Sequence, residues 1–237
     1  MFNRCWGLAC ALAALAFLSA CEIDDGPRGP LRHDPVSIEL DKSEVVRTEF
    51  KIGAGKLEVR GGAAKLVEGE FTYNVPSWKP RVEWVPSSFR GLLTISQPES
   101  HGHIGNTDYE WNLRLNDEKP MDIKLELGAG EADLELGSLN LRGVDIEMGV
   151  GKLMLDLRGS PKTDYSVRIQ GGVGEATVYF PKDVGVAADA KGGIGGIHAE
   201  GLHKDGSHYT NDTWPGAKVR IRVDVEGGIG AINLIGG

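Results

Sequence analysis

Histidines and carboxylates are the residues of this 237-residue chain whose spacing could do chemistry. His101-Gly102-His103 could offer two imidazoles to a metal, and His198, His203 and His208 recur every five residues near Asp205 and Asp212. Neither spacing matches a recognised metal motif, and both lie in polar stretches where a solvated histidine is the default, so no metal is expected. Asp122, Glu126, Glu131, Asp133, Glu135, Asp145 and Glu147 read as one alternating face. Polysaccharide-cleaving enzymes use two carboxyls at a set separation, but a charged outer face that keeps the molecule soluble is the plainer reading. No Gly-x-Ser-x-Gly nucleophile elbow occurs. Gly192-Gly193-Ile194-Gly195-Gly196 invites a phosphate-loop reading, yet that loop needs a helix after it and the Lys-Ser/Thr of a P-loop; here a strand-like run follows. No catalytic residue, cofactor or nucleic-acid partner is expected.

The one covalent chemistry the sequence spells out lies at its start. Arg4 supplies a short positive region, residues 8–17 an apolar run, and Leu18-Ser19-Ala20-Cys21 the four positions of a bacterial lipobox. The run is shorter than the ~20 residues of a membrane span. Leu18, Ser19 and Ala20 are expected to direct lipoprotein signal peptidase. Cys21 is expected to become the mature N-terminus, carrying a thioether-linked diacylglycerol and an N-acyl chain such as palmitate. Two or more chains anchor stably where one does not. Cys5 and Cys10 leave with residues 1–20, so the mature chain has no free thiol or disulfide to work with. Glu22, where inner-membrane retention favours Asp, points to the outer membrane facing the periplasm in a Gram-negative host. In other hosts the outer face of the cytoplasmic membrane is the expected site.

Removing Arg4 leaves 25 basic against 34 acidic side chains, a poor balance for binding nucleic acid or anionic lipid. Residues 21–35, with Gly26, Pro27, Gly29, Pro30 and Pro35, read as a tether between lipid and folded body.

What must position everything else is a repeated phrase: a strand-like run, Gly-x-Gly, another strand-like run. The glycine pairs are Gly53/Gly55, Gly128/Gly130, Gly149/Gly151, Gly172/Gly174, Gly193/Gly195 and Gly228/Gly230, with steps of 21, 23, 21 and 35 from Gly128 onward. Such periods indicate a repeat architecture. Ile123, Leu125 and Leu127 alternate with Asp122, Lys124 and Glu126, and Val219, Ile221, Val223 and Val225 with Arg220, Arg222 and Asp224. A period of two is the mark of a half-buried strand. Aligned on their glycines, the phrases give apolar columns, Ala132, Leu153, Ala176, Ile197, Ile232 and Leu134, Leu155, Val178, Ala199, Leu234, while Glu126 falls over Glu147. These columns predict an all-β, glycine-cornered β-solenoid. The alternative is an antiparallel sandwich or roll in which each Gly-x-Gly is a hairpin turn. Residues 202–216 interrupt the last period and read as a surface loop.

Residues 66–120 differ, with Phe71, Tyr73, Trp78, Trp84, Phe89, Tyr109 and Trp111 punctuated by Pro76, Pro80, Pro86 and Pro98. Short strands at 92–97 and 111–115 fit a β-rich cap or insertion that closes one end of the stack. Exposed Trp78, Trp84 or Trp111 could stack on sugar rings, though a cap core explains them more simply. The division expected is a signal peptide at 1–20, a tether at 21–35, an N-terminal cap region at 36–120 and a repeat solenoid at 121–237.

Glu68-Gly69-Glu70-Phe71, the run Asn74-Val75-Pro76-Ser77-Trp78-Lys79-Pro80, Trp111-Asn112-Leu113-Arg114-Leu115-Asn116 and, most specifically, Leu127-Gly128-Ala129-Gly130-Glu131-Ala132-Asp133-Leu134-Glu135-Leu136 resemble the toast-rack family. That family is related to adhesin-like domains and to the C-terminal domain of LiaF-like cell-wall stress regulators. The resemblance covers most of residues 40–237 and implies a glycine-cornered β-solenoid with no established activity. The function expected is a non-enzymatic, lipid-anchored envelope scaffold or adhesin-like binder with a possible link to envelope stress. The alternative is a protein that binds or cleaves envelope polysaccharide. Expected partners are the membrane through Cys21, an envelope protein or glycan, and a second copy of the chain.

Overall fold

A computed structural model describes residues 29–99 and 108–237. Leu18, Ser19, Ala20 and Cys21, together with His101 and His103, lie outside the described residues. The strands, in order, are β1 (Arg32–Ile38), β2 (Val45–Arg60), β3 (Val67–Tyr73), β4 (Arg81–Val85), β5 (Arg90–Ser96), β6 (Tyr109–Leu115) and β7 (Met121–Glu135). They continue with β8 (Leu141–Asp156), β9 (Tyr165–Phe180), β10 (Gly185–Ile194), β11 (Ile197–Glu200), β12 (His203–Asp205), β13 (His208–Thr210) and β14 (Arg220–Gly236). Among the described residues they form one 14-stranded sheet.

The 15 to 17 residues of β2, β7, β8, β9 and β14 are far more than an ordinary strand of 5–6. Each is long because pairing continues through its Gly-x-Gly, which bends the strand instead of ending it. In β7 the buried positions are Met121, Ile123, Leu125 and Leu127, then Ala132 and Leu134. The parity changes across the corner, so the inner face stays inside as the chain turns. Each of these five rungs is therefore strand, corner, strand. The rungs pair in parallel, which rules out the hairpin alternative.

Two apolar columns hold the stack. Before the corner, Phe50, Leu125, Ile146, Ile169, Val225 and Ala190 lie in register and are all buried. After it come Leu57, Ala132, Leu153, Ala176, Ile232 and Ile197. Burying one large aliphatic side chain contributes roughly 1.5–3 kcal/mol.

The rung order departs from chain order at both ends. β14 inserts between β9 and β10, so Ile232 packs between Ala176 and Ile197 instead of following Ile197 as the aligned phrases imply. At the other end, β5 pairs with residues 45–51 of β2 and β6 with residues 56–60. Together they form one rung outside β2, shared between two short strands. The pairing also runs without a break from β2 to β7.

Antiparallel strands close the first end: β4 on β5, β3 on β6 and β1 on β3. Trp111 and Trp78 are buried there, with Phe71 edge-on to Trp111 at 5.4 Å and Trp78 edge-on to Tyr109 at 5.5 Å between ring centroids. The Tyr109 hydroxyl donates to the Trp78 carbonyl at 3.0 Å, and burial pushes that phenol's pKa well up. Trp84 packs half-buried against the same core. These tryptophans build the cap. At the far end β13 and β12 cover β10, and β11 pairs with β14 alone.

Candidate functional site

The corners create the surface feature that stands out. At the second glycine of each pair φ lies between +137° and +150°, a region open essentially to glycine. Close approach imposes the same choice. A Cβ on Gly130, Gly151, Gly174, Gly230 or Gly195 would sit 1.7–1.8 Å from the matching glycine carbonyl one rung earlier, and a Cβ on Gly128, Gly149, Gly172, Gly228 or Gly193 would sit 2.3–2.4 Å from its counterpart. Gly53 and Gly55 start the two columns. Gly55 is limited by the Tyr109 carbonyl at 2.7 Å, while the amides of Gly53 and Ala54 donate to Gln97 Oε1 at 2.8 and 3.1 Å. Gln97 thus closes the corner that its own rung lacks.

With both flanks bare, the middle residue is the one side chain each corner presents. In stack order these are Ala54, Ala129, Val150, Val173, Ile229 and Ile194. Val150 is 52% exposed, Val173 45%, Ile229 51% and Ile194 72%. At about 4.8 Å per rung, the row runs roughly 24 Å along the molecule. Single exposed aliphatics are ordinary, but a continuous row of them is not. The inward position one residue before the corner changes in the opposite sense: Ile52, Leu127 and Met148 are buried, and Gly171, Gly227 and Gly192 follow. A void of about 30 Å³ remains there, too small for anything larger than a water or two.

Beside the glycines runs an open groove of about 1080 Å³. Gly53, Gly128, Gly149 and Gly172 line it, Lys51, Glu126, Glu147 and Gln170 form one polar row, and Gln97, Pro98, Glu99 and Trp78 contribute the other side. The like charges of Glu126 and Glu147, one rung apart, share Lys124 Nζ, which sits 2.8 Å from Glu126 and 3.3 Å from Glu147. Both carboxylates raise the pKa of that lysine, the Glu126 hydrogen bond most.

The acidic residues expected on one face are split by the corner. Asp122, Glu126, Asp145 and Glu147 precede it, and Glu131, Asp133 and Glu135 follow it. The parity of the alternation changes at the corner, and the bend turns the second half onto another side. Asp122 faces Arg90 and Arg142, each at 3.8 Å, and Glu135 faces Arg60 at 3.4 Å. Asp133 is the exception. Burial raises its pKa, with Glu135 and Glu58 adding to the effect, and its Oδ1 has no hydrogen-bond partner among the described residues. Its rung neighbour Glu58 is held by Lys56 at 2.5 Å and by the Asn112 amide at 3.2 Å. Neither carboxylate lines the groove.

Of the four described histidines, His33 meets Glu70 at 3.0 Å, and His198, His203 and His208 do not converge. His198 meets Glu200 at 2.9 Å, His208 meets Asp189 at 3.1 Å, and His203 meets Asp212. Among the described residues no group of three or more His, Cys, Asp or Glu side chains is placed to hold a metal.

A family model described as the N-terminal domain of toast_rack matches residues 28–179. The chain belongs to the toast-rack family. A "putative cell adhesion protein" from Clostridium sporogenes has 36% identity and a TM-score of 0.83, covering 87% of this chain and 100% of that one. A "putative adhesin" from Bacteroides fragilis shares 9% identity at TM-score 0.29 over 86% of this chain and 96% of that one. One from Parabacteroides merdae shares 12% at 0.24 over 88% and 99%. No curated protein matches the chain. In the toast-rack stack, the glycines named from the sequence sit at the corners. The row of residues between them was overlooked, and its signal was the growth from Ala to Val to Ile that appears once the rungs are put in spatial order. Among the described residues no helix is long and apolar enough to cross a membrane.

Proposed function

We propose that the chain is a non-enzymatic, lipid-anchored binding module of the cell envelope, adhesin-like in its mode of action. The observation that carries this reading is the row Val150, Val173, Ile229 and Ile194 beside the open groove. A stack of parallel rungs presents it as a rigid surface, so binding loses little conformational entropy. The likeness to a "putative cell adhesion protein" supports the same reading. Cys21 supplies the anchor on an outward-facing membrane surface; the expected tether to residue 35 is cut short, because Arg32–Pro35 already pair with β3 as the start of β1.

The test is capture of envelope components by the lipidated protein. Recovery of a protein partner by the wild type, lost in the Val150→Ser/Val173→Ser/Ile229→Ser variant, supports the proposal. Retention on purified envelope glycan without a protein partner replaces it with polysaccharide binding. Turnover of that glycan, abolished by Asp133→Asn, makes the protein an enzyme.

A further inference from the structure

We propose that β11 (Ile197–Glu200), the uncovered second half of the last rung, pairs through His198, Ala199 and Glu200 with the same three residues of a second copy of this chain about a two-fold axis through Ala199. An exposed sheet edge offers unpaired amides and carbonyls to any extended strand, and proteins blunt such edges with charge, proline or cover. Most edges of this molecule are treated that way. β5, β6 and β10 lie under antiparallel strands. Of the strands left outermost, β1 contains Arg32 and Pro35, β4 alternates Arg81 and Glu83 over five residues, and β12 is the three-residue run His203-Lys204-Asp205. The stretch Gly192-Gly193-Ile194-Gly195-Gly196-Ile197-His198-Ala199-Glu200 has no lysine, arginine or proline and four glycines. Ile194 on it is the most exposed large aliphatic of the glycine corners.

The backbone is aimed for such a pairing. The Ile232 amide donates to the Gly196 carbonyl, and Ile197 is the rung partner of Ile232. Alternation then turns the amides and carbonyls of Ile197 and Ala199 away from β14, toward the open side. A second copy is the occupant that the side chains fit. In an antiparallel pairing centred on Ala199, His198 of each chain stands opposite Glu200 of the other, twice over. Both are exposed, and within one chain they already meet at 2.9 Å. Centring on His198 would instead oppose His198 to itself and Glu200 to Gly196. The Ala199 register also puts Ala199 of both chains on the same, inward side of the joined sheet. Because the opposite end of the stack is closed by β1, β3 and β4, rung-on-rung addition cannot continue head to tail, and the assembly closes at two.

Sedimentation of the full-length lipidated protein in detergent is the experiment. The proposal expects a concentration-dependent monomer–dimer equilibrium that Ala199→Pro shifts to monomer. The N–H which that substitution removes faces solvent, so the unfolding midpoint should hold. A second pair of variants reads the register independently. His198→Cys mixed with Glu200→Cys should give a disulfide-linked heterodimer on mild oxidation, because non-hydrogen-bonded cross-strand pairs bring side chains closest. Neither variant alone should cross-link through that position. A wild type that stays monomeric at every concentration overturns the proposal. So does a dimer indifferent to Ala199→Pro, or cross-linking by His198→Cys alone.

Discussion

At Gly151 two independent penalties meet. Its φ is +144°, and an added Cβ would lie 1.8 Å from the Gly130 carbonyl. Gly196 carries neither, since a Cβ there meets nothing within 4 Å. Gly151→Ala should therefore lower unfolding stability by roughly 2–4 kcal/mol in urea titrations, from backbone strain plus the shift of a neighbouring rung. Gly196→Ala should change it by less than about 0.5 kcal/mol. The need for glycine at these positions was legible because Gly-x-Gly recurs at a fixed step. What the middle residue does was not, because alternation alone assigns Val150 or Ile229 no side: parity changes inside the corner. Cys21 stands apart from packing. Cys21→Ser should release the protein from the membrane fraction and abolish the lipid mass on its N-terminus. Full retention of the serine variant in membranes would remove the anchor from the account.

At the scale of elements, each strand was legible from its alternation, and the parallel stacking from apolar columns that only a common register produces. The order of the last two rungs was not. Nothing in the composition of β10 or β14 distinguishes inner from outer place; the trace left in the sequence is the step of 35, long enough to hold β12 and β13 before the chain returns. The first rung was obscured because two short strands share it and Gln97 replaces its corner. Leu153 is fully buried in the column after the corner, so Leu153→Ala should cost about 2–5 kcal/mol. The edge strand β1 should show its own pH dependence. A hydrogen bond from the Tyr73 hydroxyl at 2.7 Å, and after it Lys79 at 2.9 Å, hold the Asp34 carboxyl below the usual carboxylate range. A lowered folded-state value stabilises above the unfolded value near about 3.9, and the contribution is lost as pH falls through the folded value. Amide exchange in β1 should rise below that range in the wild type, and Asp34→Asn should show the faster exchange already at neutral pH.

The molecule as a whole is a stiff stack with a closed first end, an open last end and an apolar row along its glycine corners. The acidic balance, the absence of cysteine from the folded body and the repeat were readable in the sequence. The apolar row was not, because it exists only once six rungs are laid side by side in the right order. The claim that this surface is what the protein is for is tested most directly by one comparison. The lipidated wild type and the Val150→Ser/Val173→Ser/Ile229→Ser variant, matched for unfolding midpoint, are measured for capture of the same envelope protein. The account predicts that the variant stays folded and membrane-bound and loses the partner. Equal capture by both would contradict it.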